Sequence, residues 1–462
     1  MKYVLLIIFF QSLMLQSQTV VENQLTYNEF LGFVKKFHPQ VKQANLTLSK
    51  AQAELLAVRG AFDPKLESTY SQKQYADKNY YTLFNSGFKI PTWYGVELKA
   101  AFDNHEGIYL NPENVLPNQG LTSFGISVPL GQGLWINQRM ADLKKAKLQV
   151  NLSASEKMLQ AVEVIYEASL AYFEWKKNFE EYQLYQEYVS NAQTRFNGIK
   201  ISIAAGDKPA IDSIEAGIVL KTRQLNAEES WLKFQKSRLQ LSNFLWLENN
   251  VPLELEAAVQ PEEISELQLS ELLKTSVVLT NEPDIKDHPK INMLENKVGI
   301  LEVERKLKAN QLLPKIDVGY YYLSEPSYIQ NYRFEDYKVG VNFSYPLFLR
   351  KERGQLKLAR FKVEEMNYQL DLEKLQLKNK IKEQQTEIQS VGKQKNMILS
   401  LVGNHQKMLQ SEERLFSVGE SSVFLVNTRE NNLVSAKLAA IHAENKLALS
   451  HVQLFKVMGV VE

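Results

Sequence analysis

A duplication constrains this chain more than any other feature. His38-Pro39 returns as His288-Pro289, and Asp63-Pro64-Lys65-Leu66-Glu67 is answered by Leu313-Pro314-Lys315-Ile316-Asp317, both at an offset of 250 (288 − 38 and 314 − 64). Farther along the offset is 213 and stays there: Leu143 pairs with Leu356, Val150 with Val363, Gly206 with Gly419 and Leu241 with Leu454. A long alignment without a gap is what two helices that must stay in step would keep. The 37 residues lost between the offsets (250 − 213) fall between Glu67 and Leu143, so the first copy carries an insertion there. A period this long is not a solenoid repeat of roughly 20–50 residues. It is one domain used twice.

Within each copy the pattern reads helix, strands, long helix, turn, helix. The opening helix is expected from near Thr26 in the first copy and near Asp284 in the second. It should end close to Pro64 and Pro314, because the residue before a proline disfavours α geometry. Over about 65–130, and again over about 315–346, the period changes to two. Val96, Leu98, Ala100 and Phe102 alternate with Glu97 and Lys99, and Phe124, Ile126 and Val128 alternate with Ser123, Gly125 and Ser127. In the second copy Val339, Val341 and Phe343 share one parity. Aromatic residues crowd these segments. One apolar face, one small or polar face and aromatic ends suit a membrane β-barrel, with Val96, Leu98, Ala100, Val339, Val341 and Phe343 toward lipid. An aromatic-rich soluble hairpin fits the same pattern.

The long helices are marked by apolar residues at three-and-four spacing, from Val162 and Ile165 through Tyr172, Trp175 and Phe179 to Ala192 and Phe196. No proline interrupts the run between Leu130 and Pro209. A helix of some 65 residues is about 100 Å long, too long to wrap one globular core, so such helices should pair as antiparallel coiled-coil hairpins. The expected domains are a first repeat over 19–250 with its hairpin at about 136–247, an acidic connector over 251–283, and a second repeat over 284–462 with its hairpin at about 350–458.

The amino terminus reads as an export signal over residues 1–18. Lys2 is its positive region, Val4 to Leu15 its apolar stretch, and Ser17-Gln18-Thr19 a cleavage zone. That stretch is shorter than the roughly 20 residues a spanning helix needs, and no second apolar run follows. An exported chain of this kind can cross a membrane only as a closed sheet, the remaining way to satisfy backbone polar groups in lipid. Composition narrows the function classes. Lys+Arg of 54 against Asp+Glu of 53 gives a net charge of +1, without the basic excess that nucleic-acid binding requires. The absence of cysteine excludes disulfides, thiolate nucleophiles and cysteine zinc sites. The six histidines are scattered, and no HExxH, Ser-His-Asp or phosphate-loop spacing occurs, so no enzyme, cofactor or metal site is expected.

The two turns between long helices carry a resemblance. Arg414-Leu-Phe-Ser-Val-Gly-Glu-Ser-Ser-Val-Phe-Leu-Val-Asn427 is similar to the helix-tip motif of TolC-type outer-membrane efflux proteins. Gly206-Asp-Lys-Pro-Ala-Ile-Asp-Ser-Ile-Glu-Ala216 is its duplicate, and Val128-Pro129-Leu130 and Tyr345-Pro346-Leu347 resemble the family's strand-to-helix joint. The resemblance implies an α+β membrane protein. It implies a homotrimer in which each chain gives four strands to a shared twelve-stranded transmembrane β-barrel, continued by a long α-helical periplasmic tunnel. The place it implies is the outer membrane of a Gram-negative bacterium, with the helical part in the periplasm. The role it implies is the outer-membrane channel of a tripartite efflux or type I secretion system, fed by a periplasmic adaptor and an inner-membrane transporter. The alternative is a periplasmic coiled-coil scaffold without channel activity, which leaves the aromatic strands without a role.

By the same resemblance Gly206 and Gly419 stand at the hairpin ends where an adaptor docks, beside Asp207, Pro209, Val418, Ser421 and Ser422. The local chemistry agrees: a glycine between helices can take left-handed geometry, Ser421 or Ser422 can cap the return helix, and Asp207 can do so ahead of Pro209. Val418, Val423 and Phe424 would offer a partner an apolar patch, or equally close the tip's own core. Three departures stand out. Ile201 occupies the first tip's arginine position, with Arg195-Phe196 earlier in the chain. The acidic positions that narrow the family's pore hold Leu425 and Thr428, while the matching first-copy positions hold Asp212 and Glu215. An acidic constriction moved to the other hairpin is one reading; acids serving their own helix N-terminus is the other. Finally, the insertion, Tyr80 to Phe102 included, forms either an added hairpin outside the membrane or additional barrel strands.

Overall fold

A computed structural model describes residues 24–276, 285–329 and 333–459, so the export signal lies outside the described residues. In chain order the elements are strand β1 (Gln24–Leu25), helices α1 (Tyr27–Phe37) and α2 (Pro39–Arg59), and strands β2 (Lys65–Tyr75), β3 (Lys78–Pro91), β4 (Glu97–Glu106) and β5 (Leu121–Gly131). Helices α3 (Gln138–Ala204) and α4 (Ile211–Ser242), strand β6 (Gln260–Pro261), and helices α5 (Glu266–Leu272) and α6 (Pro289–Asn310) follow. Strands β7 (Lys315–Ser324) and β8 (Tyr337–Ser344) and helices α7 (Arg350–Ser417) and α8 (Val423–Met458) complete the chain. It divides into two compact units, one built of residues up to 42, 161–283 and 380–458, the other of 43–160, 284–379 and 459 onward.

The duplicated His-Pro dipeptide is a helix-start device. A proline at the first helical position loses no hydrogen bond, since that N–H has no partner inside the helix. The histidine before it caps the next free donor. His38 Nδ1 accepts from the Gln40 N–H at 3.3 Å, and His288 Nδ1 accepts from the Lys290 N–H at 3.1 Å. Burial holds the His38 pKa below its usual value, which keeps the ring neutral and Nδ1 able to accept. This cap moves two expected boundaries. The second copy's opening helix begins at Pro289 rather than near Asp284, and the first copy's is split at His38, whose extended backbone ends α1 before Pro39 starts α2. Thr26 starts α1 with a capping box, its side chain on the Glu29 N–H and Glu29 on its own.

One unit holds a single antiparallel sheet in the order β2-β3-β4-β5-β7-β8. The resemblance implies four strands per chain; this sheet has six. The difference is the insertion, whose residues Tyr80 to Phe102 lie largely within β3 and β4 and pair in register with their neighbours. The inserted residues extend this sheet rather than standing apart from it. The repeats meet at β5 and β7, which pair from Thr122↔Ser324 to Gly131↔Lys315.

The other unit is helical around an aromatic core. Tyr27, Tyr172, Phe173 and Trp175 are fully buried, and the Tyr27 hydroxyl lies 2.7 Å from Ser169 Oγ. The connector between the repeats is fastened here. Strand β6 pairs in parallel with β1, the Glu262 carboxylate accepts from the Tyr27 N–H at 3.1 Å, and Ser265 caps α5. The Tyr172 hydroxyl donates to the Leu25 carbonyl at 2.9 Å, so β1 is also held from α3.

Candidate functional site

The two interhelical turns share one backbone solution. At the end of α3 the Asp207 N–H reaches the Ser202 carbonyl at 2.9 Å and the Gly206 N–H reaches Ile203 at 3.0 Å. At the end of α7 the Glu420 N–H reaches Leu415 at 2.9 Å and the Gly419 N–H reaches Phe416 at 3.2 Å. These are paired Schellman bonds, which satisfy helix carbonyls by turning one residue left-handed. That residue is glycine both times, Gly206 at φ +82° and Gly419 at φ +83°. A Cβ on either would meet no atom within 4 Å, so the requirement is conformational and not one of space.

Beyond the glycines the two turns differ. Ser422 caps α8 as expected, its Oγ accepting the Leu425 N–H at 3.3 Å. Ser421 instead donates to the Glu412 carboxylate, which also pairs with Arg429 at 3.4 Å and so ties α7 to α8 behind the turn. Asp207 does not cap. Helix α4 starts at Ile211 with Ala210 as its N-cap and no side-chain bond, so Pro209 lies ahead of the helix. Val423 is not a surface residue either: at 2% exposure it closes a cluster with Ile199 and Ala216, flanked by Phe196 and Phe416. Val418 and Phe424 do face solvent, joined by Ile201 and Ile211. The Lys208 ammonium sits 3.6 Å from the Phe416 ring centre and links the two turns.

Just behind the tips a buried polar network crosses between the hairpins. Arg195 of α3 binds the Glu430 carboxylate of α8 and donates to Asn427 Oδ1 at 3.1 Å. Arg223 of α4 lies 3.6 Å from the other Glu430 oxygen and donates to Asn431. Asn427 in turn donates to Glu215 at 3.3 Å. Glu430 is 1% exposed, so removing both arginines would strand its charge in a dry site. In the sequence Arg195 stands out only as a displaced motif residue and Glu430 not at all, because one acid in a polar helix looks like solvated surface. Of the proposed constriction residues, Glu215 is held by Asn427, Thr428 bonds back to the Phe424 carbonyl at 2.8 Å, and Leu425 is exposed. Asp212 lies in the first turn of α4, where it complements the positive helix end.

The sheet offers a different kind of surface. One ladder row runs unbroken across all six strands, Leu66↔Phe88↔Ala100↔Phe124↔Tyr322↔Tyr337. The rows beside it on the same face hold Ile90, Leu98, Ile126, Tyr320 and Val339, then Val128, Val318 and Val341. Of the residues expected toward lipid, Leu98, Ala100, Val339, Val341 and Phe343 share this face, while Val96 falls one residue before β4. Some polar groups on it are paired: Ser68 with Ser86 at 3.0 Å and the Tyr70 hydroxyl with Gln72 at 3.1 Å. The opposite face carries Glu97 with Lys89 and Arg139 at 3.0 and 3.1 Å, and His105 with Asn85 at 2.8 Å. No helix among the described residues is long and apolar enough to cross a membrane.

Residues 286–460 match the family model of the outer membrane efflux proteins. Curated protein sequences give no match. Among solved structures the chain is similar to the CmeC outer membrane channel of Campylobacter jejuni, at 14% identity and a TM-score of 0.66 over 94% of this chain and 85% of that one. The MtrE outer membrane channel of Neisseria gonorrhoeae in its open state gives 13% identity and a TM-score of 0.65 over 93% and 88% of the two chains. The outer membrane protein VceC of Vibrio cholerae gives 12% and 0.66 over 94% and 95%. At such identities the likeness is one of fold.

Proposed function

We propose that this chain, an outer membrane efflux protein by the family match of its residues 286–460, is the outer-membrane channel of a tripartite efflux or type I secretion system. In this reading three copies assemble, their sheets close into one barrel in the outer membrane, and their helical hairpins form a tunnel in the periplasm. A periplasmic adaptor meets the hairpin tips and links them to an inner-membrane transporter. The work is passage, not chemistry.

The observation that carries the reading is the one-sided sheet. Apolar side chains on one face of six strands are left bare, Tyr337, Val339, Val341 and Phe343 of β8 all among them. A soluble scaffold that exposed such a patch would aggregate, whereas lipid is a solvent for it. The tips suit docking, because Ile201, Ile211, Val418 and Phe424 give a partner helix apolar contacts around two rigid turns. Asp212, with Leu425 and Thr428, lines the narrowing of the tunnel in this reading, and the Arg195–Glu430 network holds the hairpins together behind it.

Membrane fractionation followed by electrophoresis with and without boiling tests the reading. The expected result is a band near three times the chain mass in the outer-membrane fraction, collapsing to the monomer on boiling. A soluble monomer or dimer would end it.

A further inference from the structure

Among the described residues the sheet has two open edges: β2 pairs only with β3, and β8 only with β7. Every residue of both strands is exposed, over lengths of 11 and 8 residues. Unpaired backbone along a strand cannot persist in lipid. If the sheet lies in the membrane, as the proposed function has it, each edge needs a strand to pair with.

The geometry of the sheet says which strand that is. Six antiparallel strands alternate in direction, so β8 runs opposite to β2, and β8 of one copy beside β2 of the next continues the antiparallel pattern. The stagger fits as well. The ladder row through Leu66 crosses β2 four residues before its midpoint, Tyr70 (70 − 66), and reaches β8 at Tyr337, three to four residues before its midpoint at Gly340 and Val341 (340 − 337 and 341 − 337). Because β2 and β8 run in opposite directions, those two displacements lie on opposite sides of the row. The strands therefore slip by seven to eight residues over five steps, about one and a half per strand. With a rise of about 3.3 Å per residue and about 4.8 Å between strands, that slip is a tilt of about 45°, at the upper end of the 35–45° of closed barrels. The sheet is already sheared as a barrel wall.

We propose that β2 of one copy pairs with β8 of the next, so that all six strands of each chain enter the wall and three copies close an eighteen-stranded barrel. Twelve strands would require β2 and β3 to leave the sheet, although β3 pairs with β4 from Thr82↔Glu106 to Pro91↔Glu97. Barrel diameter grows roughly in proportion to strand number, and barrels of 16–18 strands leave an aqueous lumen. The insertion thus widens the outer mouth by about half over a twelve-stranded wall. Continuing the slip by the even number of residues that keeps apolar faces together sets Asn342 opposite Thr69 or Ser71 of the neighbour, on the polar face.

The chain has no cysteine, so introduced pairs report without background. Asn342→Cys is combined in turn with Thr69→Cys, Ser71→Cys and Ala101→Cys, the last standing for β4 as the edge of a four-stranded contribution. Mild oxidation in the outer membrane is followed by denaturing non-reducing electrophoresis. Most of the monomer should become covalent dimer and trimer when Asn342→Cys is paired with Thr69→Cys or Ser71→Cys, and not when it is paired with Ala101→Cys. Bonding to Ala101→Cys, or to none of the three in a chain that still forms a heat-sensitive outer-membrane trimer, overturns the eighteen-stranded wall and leaves the channel reading standing. A soluble monomer overturns both.

Discussion

At the residue scale, the tip glycines and the buried Glu430 make opposite demands. Gly419 is needed for its backbone: an L-residue forced left-handed there costs roughly 1–2 kcal/mol, with no clash to add because the surrounding space is open. Gly419→Val is therefore expected to abolish transport while the trimer still reaches the outer membrane, and Gly419→Asn, which tolerates the left-handed region, should keep both. Export assays beside an unboiled immunoblot decide it; normal transport by the valine variant would show that the docking tip is elsewhere. Glu430 is needed for its charge. Glu430→Ala leaves the buried Arg223 without an acid and Arg195 with only Glu413 at 3.7 Å and should cost about 3–5 kcal/mol, read as a lower thermal midpoint of the purified protein. Glu187→Ala breaks an exposed pair with Lys437 at 3.5 Å and should cost about 1 kcal/mol or less. Equal shifts for the two would mean that the network is not buried in the assembled protein. The glycine was legible in the sequence because turn chemistry is local. Glu430 was not, since its partners come from α3 and α4, more than 200 residues away.

At the scale of elements, period-two alternation shows which residues share a strand face, Val96 excepted because it precedes β4, since the pleat decides which side chains share a side. It could not decide how many strands join one sheet. The inserted segment alternates like the rest, and whether it extends the sheet or stands apart depends on the pairing of β3 with β4, which no single segment encodes. The start of α4 is hidden in the sequence for a related reason. Pro209 looked like a first helical residue behind an Asp207 cap, but the chain takes further residues to leave the Gly206 turn, and α4 begins at Ile211. The strand faces give a sharp test. Val341→Lys places a charge on the apolar face and should cost about 2–4 kcal/mol at mid-depth, while Asn342→Lys on the other face costs far less. Assembly assayed as heat-sensitive trimer should fall for the first and hold for the second. Equal effects would remove the strand from the membrane.

At the scale of the whole molecule, the duplication carries most of what can be read in advance. Two copies of one helix–strand–hairpin unit explain the repeated His-Pro caps, the repeated Schellman turns and the meeting of the copies at β5 and β7. The copies are not equal, since four strands of the sheet come from the first and two from the second. On the proposed function these parts make a water-filled path through a membrane. The most direct measurement is the current through a planar lipid bilayer after adding the purified, detergent-solubilised trimer. Discrete, stable conductance steps are expected from unboiled protein, none from boiled monomer, and a markedly larger open current from a variant whose helical tips are loosened by Glu430→Ala. A bilayer that stays silent with correctly assembled trimer, tips loosened or not, would contradict the proposed function.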